Sequence, residues 1–371
     1  MSKQQLSARI LALFCFTCIL ALGAASAQAS GPLVIQHQRH RVYTGLQIAS
    51  GKNQDCVRII DSYDIPIENS EIGPCGGNGV NISGGSNIQI YDNYIHPEIH
   101  TTKCCDFNDG VVARSTSQII VQGNVIAYSE SNVEAPERVI GLTVIGNFLL
   151  NPRGGNPSSR GQNVQAWKSS NAVVLNNYAL SSLDTTKYLY PENQEDSINF
   201  GIGSIFFAGN NYITGGHSPS GCGLIADDGA NSVQFIGNRL VDTGECDVSI
   251  ATGTSQLMDH NQVLNRTPVD SPDSGNVALV VWNQYRREPC GPVTVTHNIA
   301  TEIRKDGTQT GFQNLGGCGP VTQDGNTWDA AAQELLSPPE TKMPPPLIPP
   351  EPRNCVAKSP YSTQTNWPPC K

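Results

Sequence analysis

The sequence predicts an all-β fold, a parallel β-helix of about ten coils forming one domain. Three observations carry this. Gly (36) and Asn (31) are abundant and Met is scarce (3), although only 15% of the 371 residues are charged. Both Gly and Asn are poor helix-interior residues and good turn formers. Second, a short apolar run ending in Asn recurs along the chain. Third, the gaps between these asparagines share a floor near 23 residues and vary above it, as expected of a fixed strand skeleton with loops let out on one side.

Residues 1–29 are set apart from the fold. Lys3 and Arg9 make a positive start, Ile10 to Ala24 is an apolar stretch too short for a comfortable membrane span, and Ala25-Ser26-Ala27 is a small-x-small cleavage site. The chain is therefore expected to be exported, into a periplasm or outside the cell, with no membrane span. The repeat begins with DIPIEN at Asn69. It continues through Asn93, Asn124, Asn147, Asn177, Asn211, Asn238, Asn261, Asn298 and Asn326. Stacked coil on coil, such amides form a hydrogen-bonded ladder, so these asparagines are assigned a structural role. About 15 residues before each lies a second short alternating segment, such as GVNIS from Gly79 or NVQAW from Asn163. The β-helix is expected over 30–336. Residues 337–371 are Pro-rich and are expected to wrap or trail from the last coil, closed by Cys355 and Cys370.

Ten of the 12 cysteines lie beyond the leader, and an even number in an oxidising compartment reads as disulfides. Cys222 and Cys246 hold matching places in successive coils, as do Cys290 and Cys318 within two CGPVT strings. Cys75 with Cys105 competes with a vicinal Cys104–Cys105 bond plus Cys56–Cys75. A net charge of −9 without any basic run argues against nucleic acid, and the chain is expected to act as a monomer on a polysaccharide or oligosaccharide.

Alternation assigns side chains to faces. Val80, Val111, Val133, Val164, Ile198, Leu224 and Val248 point in. Asn81, Val112, Glu134, Gln165, Asn199, Ile225 and Ser249 form an outward row. Ser83, Arg114, Pro136, Trp167, Gly201 and Asp227 form the next. The longest insertions, in Pro97–Asn108, Asn151–Gly161, Leu183–Asp196, Thr214–Gly221 and Arg266–Gly275, all precede this strand and would wall it as a groove. A tryptophan among amides suits a sugar ring, so Asn81, Glu134, Gln165, Trp167, Asn199 and His217 are the candidate substrate contacts.

The Asn-terminated coils, leader and variable loops resemble the right-handed parallel β-helix proteins of the pectate-lyase-like superfamily, over about Cys56 to Trp328. The resemblance implies the handedness, and the superfamily's members include polysaccharide lyases, glycoside hydrolases, uronate epimerases and non-enzymatic surface proteins, among which the fold does not choose. NDG at Asn108 and DD at Asp227 echo the polygalacturonase-like pattern, but no GHG follows and RIK is absent. A polysaccharide lyase acting by β-elimination on a uronate would use Arg114 or Lys168 as base or carboxylate clamp, with His96, His100, Lys103, Arg153, Arg160, Tyr188 and Tyr190 in or near the walls. A glycoside hydrolase would pair Glu195 or Asp196 with Asp227 or Asp228. A calcium ion could sit on Asp106, Asp109 and Glu134. A glycan-binding or adhesive surface protein without catalysis is the third reading. The lyase stands slightly ahead.

Overall fold

The computed structural model describes residues 31–97, 108–152, 161–181, 194–216, 221–266, 276–286 and 288–340. Every coil carries strands on three faces. The first-face strands stack in parallel from Leu33–Gln36 through Val57–Ile60, Val80–Ser83 and Val111 onward to Phe312–Gly316, giving eleven coils among the described residues. At the inter-strand spacing this is a rod of about 50 Å. In the central coils the first and second faces are one bent strand, for example Val164–Leu175. The bend is made by two residues in left-handed conformation, here Lys168 and Asn171. The third face is a separate sheet of short strands such as Tyr178–Leu180.

Alternation decides the core. Val80, Val111, Val133, Val164, Ile198, Leu224 and Val248 stack in register and are at most 1% exposed. Where the coils hold alanines (Ala166, Ala172, Ala208), Phe200 fills the space, stacked on Phe206 at 4.9 Å and facing Phe235 at 6.0 Å. Aliphatic side chains repeated one above the next bury a continuous apolar stripe that no single coil could bury alone.

The ladder runs along the corner between the second and third faces. Asn177 Nδ2 donates to Val144 O (2.9 Å) and to Asn211 Oδ1 (3.0 Å), while its own Oδ1 accepts from the Asn147 backbone N–H (3.0 Å) and side chain (2.9 Å). The same pattern links Asn93 to Asn326. Asn69 is not part of it. Ser70 holds that place, its N–H donating to Asn93 Oδ1 (3.0 Å), and Asn69 is the left-handed residue before it. Each ladder position is preceded by such a residue (Asp92, Gly123, Gly146, Asn176, Asn210, Gly237, His260, His297, Gly325). The expected start was therefore displaced by one residue, because Asn suits both positions.

Among the described residues there are three disulfides: Cys56–Cys75 ties the two ends of one coil, while Cys222–Cys246 and Cys290–Cys318 join neighbouring coils. The Cys75–Cys105 alternative is overturned, since Cys75 is bonded to Cys56. Cys104, Cys105, Cys355 and Cys370 lie outside the described residues, as does the leader. A helix, Asp329–Glu340, absent from the sequence expectation, packs on the third-face strands Ile299–Ile303 and Gln262–Asn265. It starts with the strong helix formers Ala330, Ala331 and Ala332 and buries Ala332 and Leu336, four apart on one side. It crosses the expected domain boundary at residue 337. No helix among the described residues is long and apolar enough to cross a membrane.

Candidate active site

The first face carries the polar row read from the sequence. The outward row is Arg58, Asn81, Val112, Glu134, Gln165, Asn199, Ile225 and Ser249, one per coil and in the predicted order. The next row differs at one place. The strand Val133–Ile145 carries an extra residue, so Glu137 rather than Pro136 stands beside Arg114. Apart from the single residue 287, every internal gap left by the undescribed segments falls between a third-face strand and the next first-face strand, on the expected side.

A second column of polar side chains edges this face. Asp55 Oδ1 accepts the Asn78 N–H (2.9 Å), Asn78 Oδ1 the Asp109 N–H (3.1 Å), and Asp109 Oδ1 the Ser131 N–H (3.3 Å). Further along, Asp196 Oδ1 accepts the Cys222 N–H (2.8 Å). A carboxylate needs one oxygen for this task and has a second to spare. Asp196 spends it on Asn199, whose Nδ2 donates to Oδ2 at 2.8 Å. Asp55 spends it on Asn81, whose Nδ2 donates at 2.9 Å.

Two acid clusters result. In the first, Asp109 is buried and hydrogen-bonded to Glu134, with Glu130 near and Arg114 partly offsetting the charge. Burial, then Glu134, drives the Asp109 carboxyl well above the ordinary carboxylate range, and burial raises Glu130 as well. Asp106, the third expected calcium ligand, lies outside the described residues. The second cluster gathers Asp196, Asn199, Asp227, Asp228 and Tyr285. Asp227 Oδ1 accepts from the Tyr285 hydroxyl (2.9 Å) and the Asp228 N–H (2.8 Å). Asn199 also reaches the Asp227 carboxyl, so one amide bridges Asp196 and Asp227. Burial raises both carboxyls, with the charge of Glu195 adding to Asp196 and that of Asp228 adding to Asp227. Asn199 is 2% exposed and its Oδ1 has no partner among the described residues.

Trp167 joins the two clusters. Its indole lies over Gly201 of the next coil, where a Cβ has no room, and Gly201 stands beside Asp227. Gln165 and Glu134 flank it one row over, half-buried. Lys168 is exposed at the bend in left-handed conformation, one residue past the face, and Asp228 occupies the comparable bend position. Glu195 is half-buried at the edge of the face. His96 is on the third face, stacked on Tyr94 at 4.2 Å and 3.4 Å from Glu71, away from the groove. His100, Lys103, Arg153, Arg160, Tyr188, Tyr190 and His217 lie outside the described residues.

Sequence reading missed Tyr285 and Trp282. The segment after Val277–Trp282 folds back over the first face. There Trp282 Nε1 donates to Ser249 Oγ (3.2 Å) and covers Ile225 and Val280. The signal was the WNQY string directly after an apolar strand, but Tyr285 meets a partner 58 residues away. A further acid pair, Asp247 and Glu302, is sealed in the interior with Thr243, Asn265 and Asn276, away from the groove.

A family model described as the right-handed beta helix region matches residues 35–179. The chain is a right-handed parallel β-helix. Its coils are similar to those of three solved structures. DFA-IIIase from Arthrobacter chlorophenolicus A6, in complex with GF2, is 13% identical with a TM-score of 0.42, covering 75% of this chain and 66% of its own. The catalytic unit of a thermostable GH87 alpha-1,3-glucanase from Streptomyces thermodiastaticus strain HF3-3 is 14% identical with a TM-score of 0.40, covering 80% and 64%. The Agl-KA catalytic domain is 14% identical with a TM-score of 0.32, covering 79% and 53%. This β-helix thus spans no more than two thirds of the length of any of the three. No curated protein matches the sequence.

Proposed function

We propose that the β-helix is an exported carbohydrate-active enzyme that hydrolyses a glycan in the first-face groove. The observation that carries this is the Asp196–Asn199–Asp227–Tyr285 cluster beside Trp167. Hydrolysis of a glycosidic bond needs a carboxylic acid still protonated at working pH and a carboxylate to activate water or attack the sugar. Burial holds Asp227 in its acid form more readily than an exposed carboxyl. With Oδ1 engaged by Tyr285 and the Asp228 N–H, Oδ2 carries the proton for the leaving oxygen. Asp228, at the bend, is the carboxylate. Asp196 is too deep to touch substrate and acts as a positioning residue through Asn199. Trp167, half-buried on the face, offers the apolar sugar platform.

Elimination is the weaker reading of the same groove. It needs cations facing a uronate, and Arg114 stands among Asp109, Glu134 and Glu137, while Lys168 is turned out at the bend. The three described disulfides support an oxidising location.

The test is a panel of neutral and uronate-containing polymers, assayed for new reducing ends and for absorbance near ~235 nm, the signature of the unsaturated product of elimination. Reducing ends without absorbance are expected, and Asp227→Asn should lower kcat by about 10³-fold with unchanged circular dichroism. Absorbance that survives Asp227→Asn would replace hydrolysis by elimination. Glycan binding without turnover on any polymer would leave a binding protein.

A further inference from the structure

Two histidines on neighbouring coils, far from the acid groove, meet one aspartate at the ladder corner. His260 and His297 both precede a ladder asparagine and both hold left-handed backbone. Most other coils place Gly, Asn or Asp there, the residues that tolerate this conformation, whereas a larger side chain pays a conformational cost. The rings stack with centroids 4.7 Å apart. His260 Nδ1 lies 2.9 Å and His297 Nδ1 3.2 Å from the same oxygen, Asp259 Oδ1. That oxygen also accepts the Thr296 hydroxyl at 2.8 Å. One carboxylate oxygen has about two lone-pair sites, so three donors on Asp259 Oδ1 are one too many.

The crowding disappears if the two imidazoles are not donors. One neutral ring nitrogen from each histidine and a carboxylate oxygen, all within 4.8 Å of one another, are the nitrogen and oxygen ligands that borderline divalent metals prefer. Tetrahedral zinc, with bonds near 2.0–2.1 Å, sets its ligand atoms about 3.3 Å apart. The two Nδ1–Oδ1 separations already approach that spacing. The rings are more than half exposed and can rotate the remainder. Thr296 then has the part of the outer-shell donor that orients the carboxylate. Among the described residues this is the group of three His, Cys, Asp or Glu side chains whose ligand atoms converge.

We propose that Asp259, His260 and His297 form a surface site for a divalent transition metal of the zinc type, with a fourth position open to water or to a donor from another molecule. The site clamps two successive coils at the C-terminal end of the rod. It is independent of the groove chemistry.

Isothermal titration of the chelator-stripped, tag-free full chain with zinc chloride tests this. One equivalent binding in the micromolar range is expected, with a zinc-dependent rise in Tm. His260→Asn and His297→Asn keep a residue suited to left-handed backbone, so each should fold as the parent does. Each should weaken zinc binding at least about 10-fold, and the double variant should lose both the binding heat and the Tm rise. Zinc binding unchanged in the double variant would put the ion elsewhere and overturn the proposal. So would the absence of binding heat up to about 1 mM zinc.

Discussion

The two polar columns of the rod, the asparagine ladder and the edge of the groove, solve one problem with different side chains. Both give a backbone N–H of the adjacent coil a side-chain acceptor. An amide also donates, so each ladder asparagine satisfies its neighbours on both sides and ends with nothing left to offer. A carboxylate only accepts. Asp55 and Asp196 bind the next coil with one oxygen and keep the other for Asn81 and Asn199, while Asp109 binds the next coil and shares a proton with Glu134. The first column is inert for that reason, and the second leaves polar capacity where the groove opens. Buried charge on the second column is the cost, visible as carboxyls held above their ordinary range.

Exchanging the two chemistries is the strongest way to break this comparison. Asn177→Asp removes a donor inside a column of acceptors and should lower stability by about 3 kcal/mol at neutral pH, read from urea unfolding. Asp196→Asn keeps the acceptor for the Cys222 N–H and removes a buried charge, so it should unfold no more easily than the parent while losing most turnover. Equal loss of stability in both variants would make the two columns equivalent scaffolding.

The interior pair offers a sharper electrostatic test. Burial pushes Asp247 up to about 7 despite hydrogen bonds from Thr243, Glu302 and Asn265. The folded state then holds a proton that the unfolded chain releases near pH ~3.9. Stability is therefore fully present below that value, falls as pH rises from about 4 to 7, and is level above it. Asp247→Asn should remove a decline of about 2–4 kcal/mol across that window. A parent protein equally stable at pH 4.5 and 7.5 would refute the assignment.

The smallest effect is expected from Gly201→Ala. A methyl there displaces the Trp167 indole, so KM should rise about 10-fold with kcat little changed, and tryptophan fluorescence should shift. An unaltered KM would remove Trp167 from the substrate platform.

Much of the fold was legible because a solenoid repeats its local rules. Each coil needs an inward aliphatic residue at a fixed place, so one register error would have shown in every coil; the outward row Asn81 to Ser249 emerged unchanged. Legibility failed where two residue types serve two adjacent roles, as at Asn69 and Ser70, or where a strand gains one residue, as at Pro136. The helix Asp329–Glu340 escaped because it obeys no repeat.

The sequence by itself determined the strands, their stacking and the side chains that share the first face, since all three follow from short-range alternation and a minimum period. It also named Asp196, Asn199, Asp227 and Trp167 as neighbours on that face. Only the tertiary structure decided which of them interact. Tyr285 reaches Asp227 across 58 residues, and the indole of Trp167 settles on Gly201 of the next coil. Whether a carboxyl is a turn former or a proton holder depends on burial and on partners that arrive from other coils, and neither is written in local spacing.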